Sequence, residues 1–156
     1  MDDRYWMEQA LAEARRAEKL AEVPIGAVIV RPTPEGDGEE AIARGFNRRE
    51  IDADPLAHAE ILAIRQAAAL LGDWRLEGST IYVTLEPCAM CAGALVASRV
   101  ETLVYGARDP KAGYCGSLGD IVRDPRLNHR LEVRSGVLEE ECGQVLRDFF
   151  RRLRRS

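Results

Sequence analysis

From residue 2 to residue 21 the apolar side chains recur at helical spacing, at Met7, Ala10, Leu11, Ala14, Ala17 and Leu20. That stripe predicts an amphipathic helix capped by Asp2 or Asp3 and broken by Pro24. The period then changes. Residues 25–30 form a short β-branched run, the pattern of a buried strand. Residues 31–40 carry two Pro, two Gly and four acidic side chains, which predicts a solvated hairpin loop with a return strand over 41–46. Residues 48–55 are polar and irregular. Pro55 keeps Asp54 extended, just before or at the start of a helix over 57–71 that Gly72 ends.

The second half predicts a strand over 79–84, punctuation at Glu86-Pro87, a helix rich in small residues over 88–97, and a strand over 101–105. A long connection over 107–125 is expected to hold a short helix at 118–122. A strand over 131–134 follows, then an amphipathic helix over 138–153 with Val145, Leu146, Phe149, Phe150 and Leu153 on its apolar side. A helix between the third and fourth strands, and a crossover between the fourth and fifth, require partly parallel pairing. The expected fold is a three-layer α/β/α arrangement around one mixed five-stranded sheet, with residues 1–156 forming a single domain.

Composition agrees with this. Hydrophobic residues make up 46% of the 156 and charged residues 31%, so the chain can bury a core and does not read as disordered. Aromatics are only 6%, so the core must be mostly aliphatic. A net charge of −4 argues against a protein that coats nucleic acid indiscriminately, because phosphate binding rests on clustered Lys and Arg. The charge is uneven, however: residues 147–156 hold five Arg and one Asp. No apolar h-region follows the N-terminus, and apolar runs such as 67–71 fall far short of the roughly 20 residues needed to span a bilayer. These features predict a cytoplasmic protein with no membrane partner.

Four cysteines and two histidines limit the possible metal sites. Cys88 and Cys91 stand at i and i+3 at the start of a helix, on one face. A helix N-terminus favours thiolates, and two thiolates at that spacing can grip one ion. By itself a Cys-x-x-Cys after a strand reads equally as a metal pair, a redox pair or two buried cysteines. His58, at the start of another helix, can supply a third ligand. Three protein ligands leave one tetrahedral position open for water, as in catalytic zinc sites. A lone His is otherwise a hydrogen-bonded structural residue. Glu60 decides the balance: it can border the same pocket and accept a proton from water there, which a structural zinc would not need.

His58-Ala59-Glu60 with Pro87-Cys88-Ala89-Met90-Cys91 is the His-x-Glu and Pro-Cys-x-x-Cys pairing of zinc base deaminases. At these residues the chain resembles the bacterial tRNA-specific adenosine deaminases, which convert the wobble adenosine to inosine. The resemblance runs from Glu22-Val23-Pro24-Ile25-Gly26-Ala27-Val28 to Asp148-Phe149-Phe150-Arg151. It is strong in Thr84-Leu85-Glu86-Pro87, in Gly106-Ala107-Arg108-Asp109 and in Asn128-His129-Arg130. It implies a cytidine-deaminase-like fold and one zinc ion per subunit on His58, Cys88 and Cys91, with Glu60 as catalytic proton shuttle. It further implies a homodimer whose partner is a tRNA anticodon loop. By position, Asn47 corresponds to the base-binding asparagine, with a turn residue as the plainer reading. Asp109 corresponds to the acid that meets the nucleotide backbone, with a loop Asp before Pro110 as the plainer reading. An aromatic beside guanidinium groups suits a splayed RNA loop, whereas helix aromatics usually belong to a core. One of Phe149 and Phe150 is therefore expected to be buried and the other near RNA, with Arg152 and its neighbours meeting phosphates.

Some positions depart from the family. The 31–40 loop is longer and more acidic, and Leu56 stands where a small polar residue is usual. Cys115 could close a fourth metal position, which would leave Glu60 without a task. Two other functions compete: deamination of guanine, cytosine or a nucleoside as a small molecule, and a non-catalytic zinc or redox module.

Overall fold

Alternate residues of the three inner strands are buried on opposite sides of one sheet. The computed structural model describes residues 2–155. The strands are β1 (Gly26–Pro32), β2 (Glu39–Phe46), β3 (Thr80–Leu85), β4 (Thr102–Ala107) and β5 (Glu132–Ser135). They lie in the order β2-β1-β3-β4-β5, with β1 antiparallel to β2 and β3, and β3, β4 and β5 mutually parallel. The four helices are α1 (Asp3–Lys19), α2 (Ala59–Leu71), α3 (Ala89–Ala97) and α4 (Glu139–Arg155). Ala27, Ile29, Ile81, Val83 and Leu103 face α2 and α3, through Ala59, Ala63, Ala67, Ala92 and Leu95. Val28, Val30, Tyr82 and Val104 face α1 and α4, through Trp6, Met7, Ala10, Leu11 and Cys142. A sheet apolar on both faces must be covered on both, which gives the expected three layers.

Helix ends differ from the sequence reading in ways that matter for the site. Asp2 caps α1, accepting from the Tyr5 N–H at 2.9 Å. The helix stops at Lys19, well before Pro24, because Ala21 turns left-handed (φ 60°) and the Glu22 N–H closes back on the Ala17 carbonyl. α2 begins at Ala59 rather than 57, since the Ala57 N–H bonds the Asp54 carbonyl and His58 stays extended as the cap. No helix forms at 118–122. The segment makes a bridge between Cys115 and Asp120, and Val122 drops into the core beside Leu131. The hairpin strands run further than expected, pairing to Pro32 and Glu39, so the acidic loop narrows to 33–38.

Gly45 on β2 sets the approach of α2. A Cβ there would sit 2.5 Å from the carbonyl oxygen of Ala59. The first turn of α2 therefore lies directly on the strand's backbone, which fixes the turn carrying His58 and Glu60.

Candidate active site

His58 and Cys88 occupy equivalent positions: each is the extended N-cap residue of its helix, and neither side chain caps its own helix. A Ser, Thr, Asp or Asn cap would contribute about 1 kcal/mol by bonding the free N–H groups. His and Cys forgo that bond, and their side chains are free to turn to one another across the carboxyl end of the sheet. Cys91 follows one turn into α3 and is fully buried. The His58 Nδ1 lies 3.7 Å from the Cys88 Sγ and 3.5 Å from the Cys91 Sγ. All three donor atoms lie within 4.8 Å of one another. Ligand distances of about 2.0–2.1 Å to nitrogen and about 2.3 Å to sulfur in a tetrahedron give an N···S edge of about 3.6 Å. The triangle thus has the size and donor set of a tetrahedral metal centre with one position left over.

The protonation of the group points the same way. The Cys91 thiol hydrogen-bonds the Cys88 sulfur and, with His58, holds Cys88 down at about 3 despite its burial. Contact with Cys88, then burial, pushes Cys91 up. His58 is raised, chiefly by its bond to Cys88. Two touching sulfurs cannot both be thiolates without a cation between them, and a bound divalent ion removes that conflict.

Glu60 is 4% exposed, and burial pushes its carboxyl up to about 7, with Cys91 as a hydrogen-bonding neighbour. A carboxyl of that pKa can both take and give a proton near neutral pH. It lines a cavity of about 150 Å³ with His58, Cys88, Asn47, Arg49 and Asp109. An apolar cavity of about 150 Å³ holds one benzene-sized ring. Asn47 is held at both ends: its Nδ2 donates to the Val23 carbonyl (3.2 Å) and its Oδ1 accepts from the Arg49 N–H (3.1 Å). One N–H and one lone pair remain for a ligand. Asp109 accepts from the Lys111 and Ala112 N–H groups and borders both this cavity and a groove of about 800 Å³ beside it. The exposed Leu56 does not line the cavity.

The groove runs to α4, with Lys111, Arg147 and Phe150 along it. Neither phenylalanine is buried. Phe150 is 40% exposed in the groove and Phe149 is half-buried against its edge, because only Cys142 of α4 is fully buried and the last turns overhang the sheet. Arg152 does not reach the groove; it pairs with Glu18 and ties α4 to α1. Arg147, Arg151, Arg154 and Lys111 form the basic end instead. Cys115 is no fourth ligand. The metal-capable group among the described residues is His58, Cys88 and Cys91, and Cys115 lies in the core with its Sγ 3.9 Å from the Pro87 carbonyl oxygen.

The MafB19-like deaminase family model matches residues 1–154. The tRNA-specific adenosine deaminase of Bacillus subtilis (strain 168) is 54% identical over 154 residues, which are 99% of this chain and 92% of that protein. The chain belongs to the tRNA-specific adenosine deaminases. A relative of the same description from Haemophilus influenzae is 48% identical to this deaminase over 152 residues, 97% of this chain and 85% of that one. A solved structure from work on A-to-I editing by tRNA:A34 deaminases at the wobble position superposes with a TM-score of 0.84. It is 46% identical and covers 91% of this chain and 99% of its own. The guanine deaminase of Nitrosomonas europaea is more distant, at 26% identity and a TM-score of 0.78, covering 94% of this chain and 83% of its own.

Two buried acids that the sequence reading passed over build the walls of the deaminase cavity. The Glu86 carboxylate accepts from the N–H groups of Asp109 (3.0 Å), Cys115 (3.0 Å) and Ser117 (2.9 Å) and from the Ser117 hydroxyl (2.5 Å). Burial alone would raise its pKa, but the Ser117 hydroxyl and these N–H groups bring it below the usual value. Gly113 sits so close that a Cβ would collide with this carboxylate. Glu22 does the same for the other wall, accepting from the N–H groups of Glu50 (3.2 Å) and Ile51 (2.7 Å) just past Asn47. Glu86→Gln turns an amide N–H toward these donors. It is expected to cost roughly 2–4 kcal/mol in urea unfolding, since a buried charged acceptor is lost and donors are left facing one another. A loss under about 0.5 kcal/mol would mean the loop is held by other contacts.

Proposed function

We propose that the whole chain acts as a deaminase of adenosine at the tRNA wobble position, releasing ammonia and leaving inosine. The observation that carries this reading is the triangle of His58, Cys88 and Cys91 with buried Glu60 beside it, opening through a ring-sized cavity onto a groove edged by basic and aromatic residues. Two thiolates and an imidazole suit zinc, one ion per subunit. Zinc held there supplies Lewis acidity that lets water give up a proton near neutral pH. Glu60 takes that proton as the water oxygen bonds to the ring carbon bearing the amine. It gives that proton to the adjacent ring nitrogen, then takes the proton of the hydroxyl now on the carbon and passes it to the amine, so that the C–N bond breaks, the C=O forms and ammonia leaves. Asn47 fixes the base edge with the donor and acceptor it has free. The target nucleotide must leave its stack to enter, which an anticodon loop permits at small cost. Phe150 and the Arg147 end of the groove would meet the loop outside the cavity, with Phe149 beside them. Arg152 would contribute only by leaving Glu18.

A homodimer in the cytoplasm is part of the same proposal. In its favour, α3 has no polar side chain other than the buried Cys91, and its Ala89 and Ala97 are exposed. Among the described residues no helix is long and apolar enough to cross a membrane.

The test is incubation of zinc-loaded protein with an anticodon stem-loop carrying A at the wobble position. Inosine should form, with about one zinc per chain by elemental analysis. The likeness to a guanine deaminase favours a second reading, turnover of a free base. Zinc-loaded protein that converts guanine but not the stem-loop would establish that reading instead.

A further inference from the structure

A second pocket, of about 270 Å³, lies on the far side of the Glu86 loop, at the carboxyl ends of parallel β4 and β5. Tyr105 and Ser135 close it from the strands, Ser117 from the loop, and Arg108 and Arg123 bring two guanidinium groups to it. The carboxyl ends of parallel strands are where α/β sheets bind ligands. The proposed mechanism leaves this pocket without a task.

Its lining holds two arginines and no acidic side chain. Arg108 meets no carboxylate within 4 Å among the described residues. Arg123 is held in place: its Nε bonds Asp120 at 2.7 Å and its Nη2 approaches the Cys115 carbonyl at 3.4 Å. That orients the guanidinium and offsets its charge, leaving Arg108 without an ion-pair partner among the described residues. Glu86 keeps its charge behind Ser117, but it does not line the pocket and its oxygens already accept four hydrogen bonds. Arg108 also lines the large groove, so the two spaces are continuous along one side chain. The wall between this pocket and the catalytic cavity is the Ser117–Glu86 contact itself.

We propose that Arg108 and Arg123 bind a phosphate group in this pocket, a backbone phosphate of the RNA strand lying in the groove. The inference rests on the tRNA reading for the source of the phosphate, but not for the phosphate chemistry. Forked guanidinium groups match phosphate oxygens, and the Ser135 hydroxyl is exposed at the rim to add a hydrogen bond. A phosphate held here would press on the turn that Glu86 organises, so that seating the strand also steadies Asp109 beside the catalytic cavity.

The experiment compares zinc-loaded wild type with Arg123→Gln, and with Arg108→Gln as a second variant. The Kd for a fluorescent anticodon stem-loop is measured across a salt series, and inorganic phosphate is titrated separately by calorimetry. For each variant the stem-loop Kd is expected to rise roughly three- to tenfold, as for a partly solvated charged contact. The slope of log Kd against log salt should become shallower by about 0.7, one phosphate contact on a single strand. Zinc content should stay at the wild-type level in both variants. Unchanged Kd and slope in both variants, with no phosphate binding to the wild type, would overturn the site. Phosphate binding that disappears in Arg123→Gln while the stem-loop Kd and slope stay unchanged would overturn the RNA assignment and leave a free-phosphate site. A wild type that binds phosphate but does not deaminate the stem-loop would refute the tRNA reading while supporting the pocket.

Discussion

Glu60→Gln is expected to keep the metal and lose the reaction. The amide has the volume of the carboxyl and fits the same buried place, so elemental analysis should still find about one zinc per chain. It cannot take a proton from water or pass one to a ring nitrogen. Removal of a positioned general base costs typically about 10²–10⁴-fold, and here one group serves as acid and base, so the loss in kcat should fall at the upper end. Stability should not drop, because a group whose burial already raises its pKa to about 7 gains little from its charge. Retained zinc with kcat within tenfold of the wild type would remove Glu60 from the mechanism. It would also revive a non-catalytic metal module as the better account of the site.

Cys91→Ala should abolish both metal binding and activity and lower the melting temperature of the loaded protein. Cys91 is fully buried on α3, and its sulfur lies 3.5 Å from the His58 Nδ1. Its loss leaves two ligands of three. Removing an outer partner of a zinc ligand costs about 10–100-fold in affinity, so removal of a ligand itself should exceed about 100-fold. An ion on this triangle would join the N-terminus of α2 to that of α3, so metal binding would contribute to folding stability. Chelator treatment of the wild type should give the same lowered melting temperature, and zinc should restore it in the wild type alone. A Cys91→Ala protein that holds zinc as tightly as the wild type would dismiss the triangle as the metal site.

The parts of this protein that were readable in the sequence are those in which one residue's neighbours along the chain decide its role. The β-branched run at 25–30 and the crossovers between the later strands implied a partly parallel sheet with helices on both faces, as the structure has it. The metal-capable triangle of His58, Cys88 and Cys91 was legible because each helix start carries its own signal and Glu60 lies two positions from His58. Glu86 and Glu22 were not, since their partners are main-chain N–H groups of distant loops and a lone Glu beside a Pro or a Val says nothing of them. The apolar letters at 118–122 suggested a helix, but Glu86 draws Cys115 and Ser117 inward and the chain turns instead. The α4 stripe was seen correctly as amphipathic. Its pattern could not tell a packed face from an exposed one, and so one of Phe149 and Phe150 was expected to be buried and Arg152 to meet phosphates.

The narrowed hairpin tip offers a practical opening. Val23 and Ile25 border the cavity, and β1 then leads directly away from it for seven residues, about 20 Å at the usual rise of a strand. The tip closes on itself, through Thr33 with Gly38, Gly36 and Asp37, and residues 34–38 are exposed. A tether, dye or fused domain spliced between Glu35 and Gly38 would hang from the end of the molecule remote from the chemistry, while the basic C-terminal helix, the usual place for a fusion, would be left bare for its ligand.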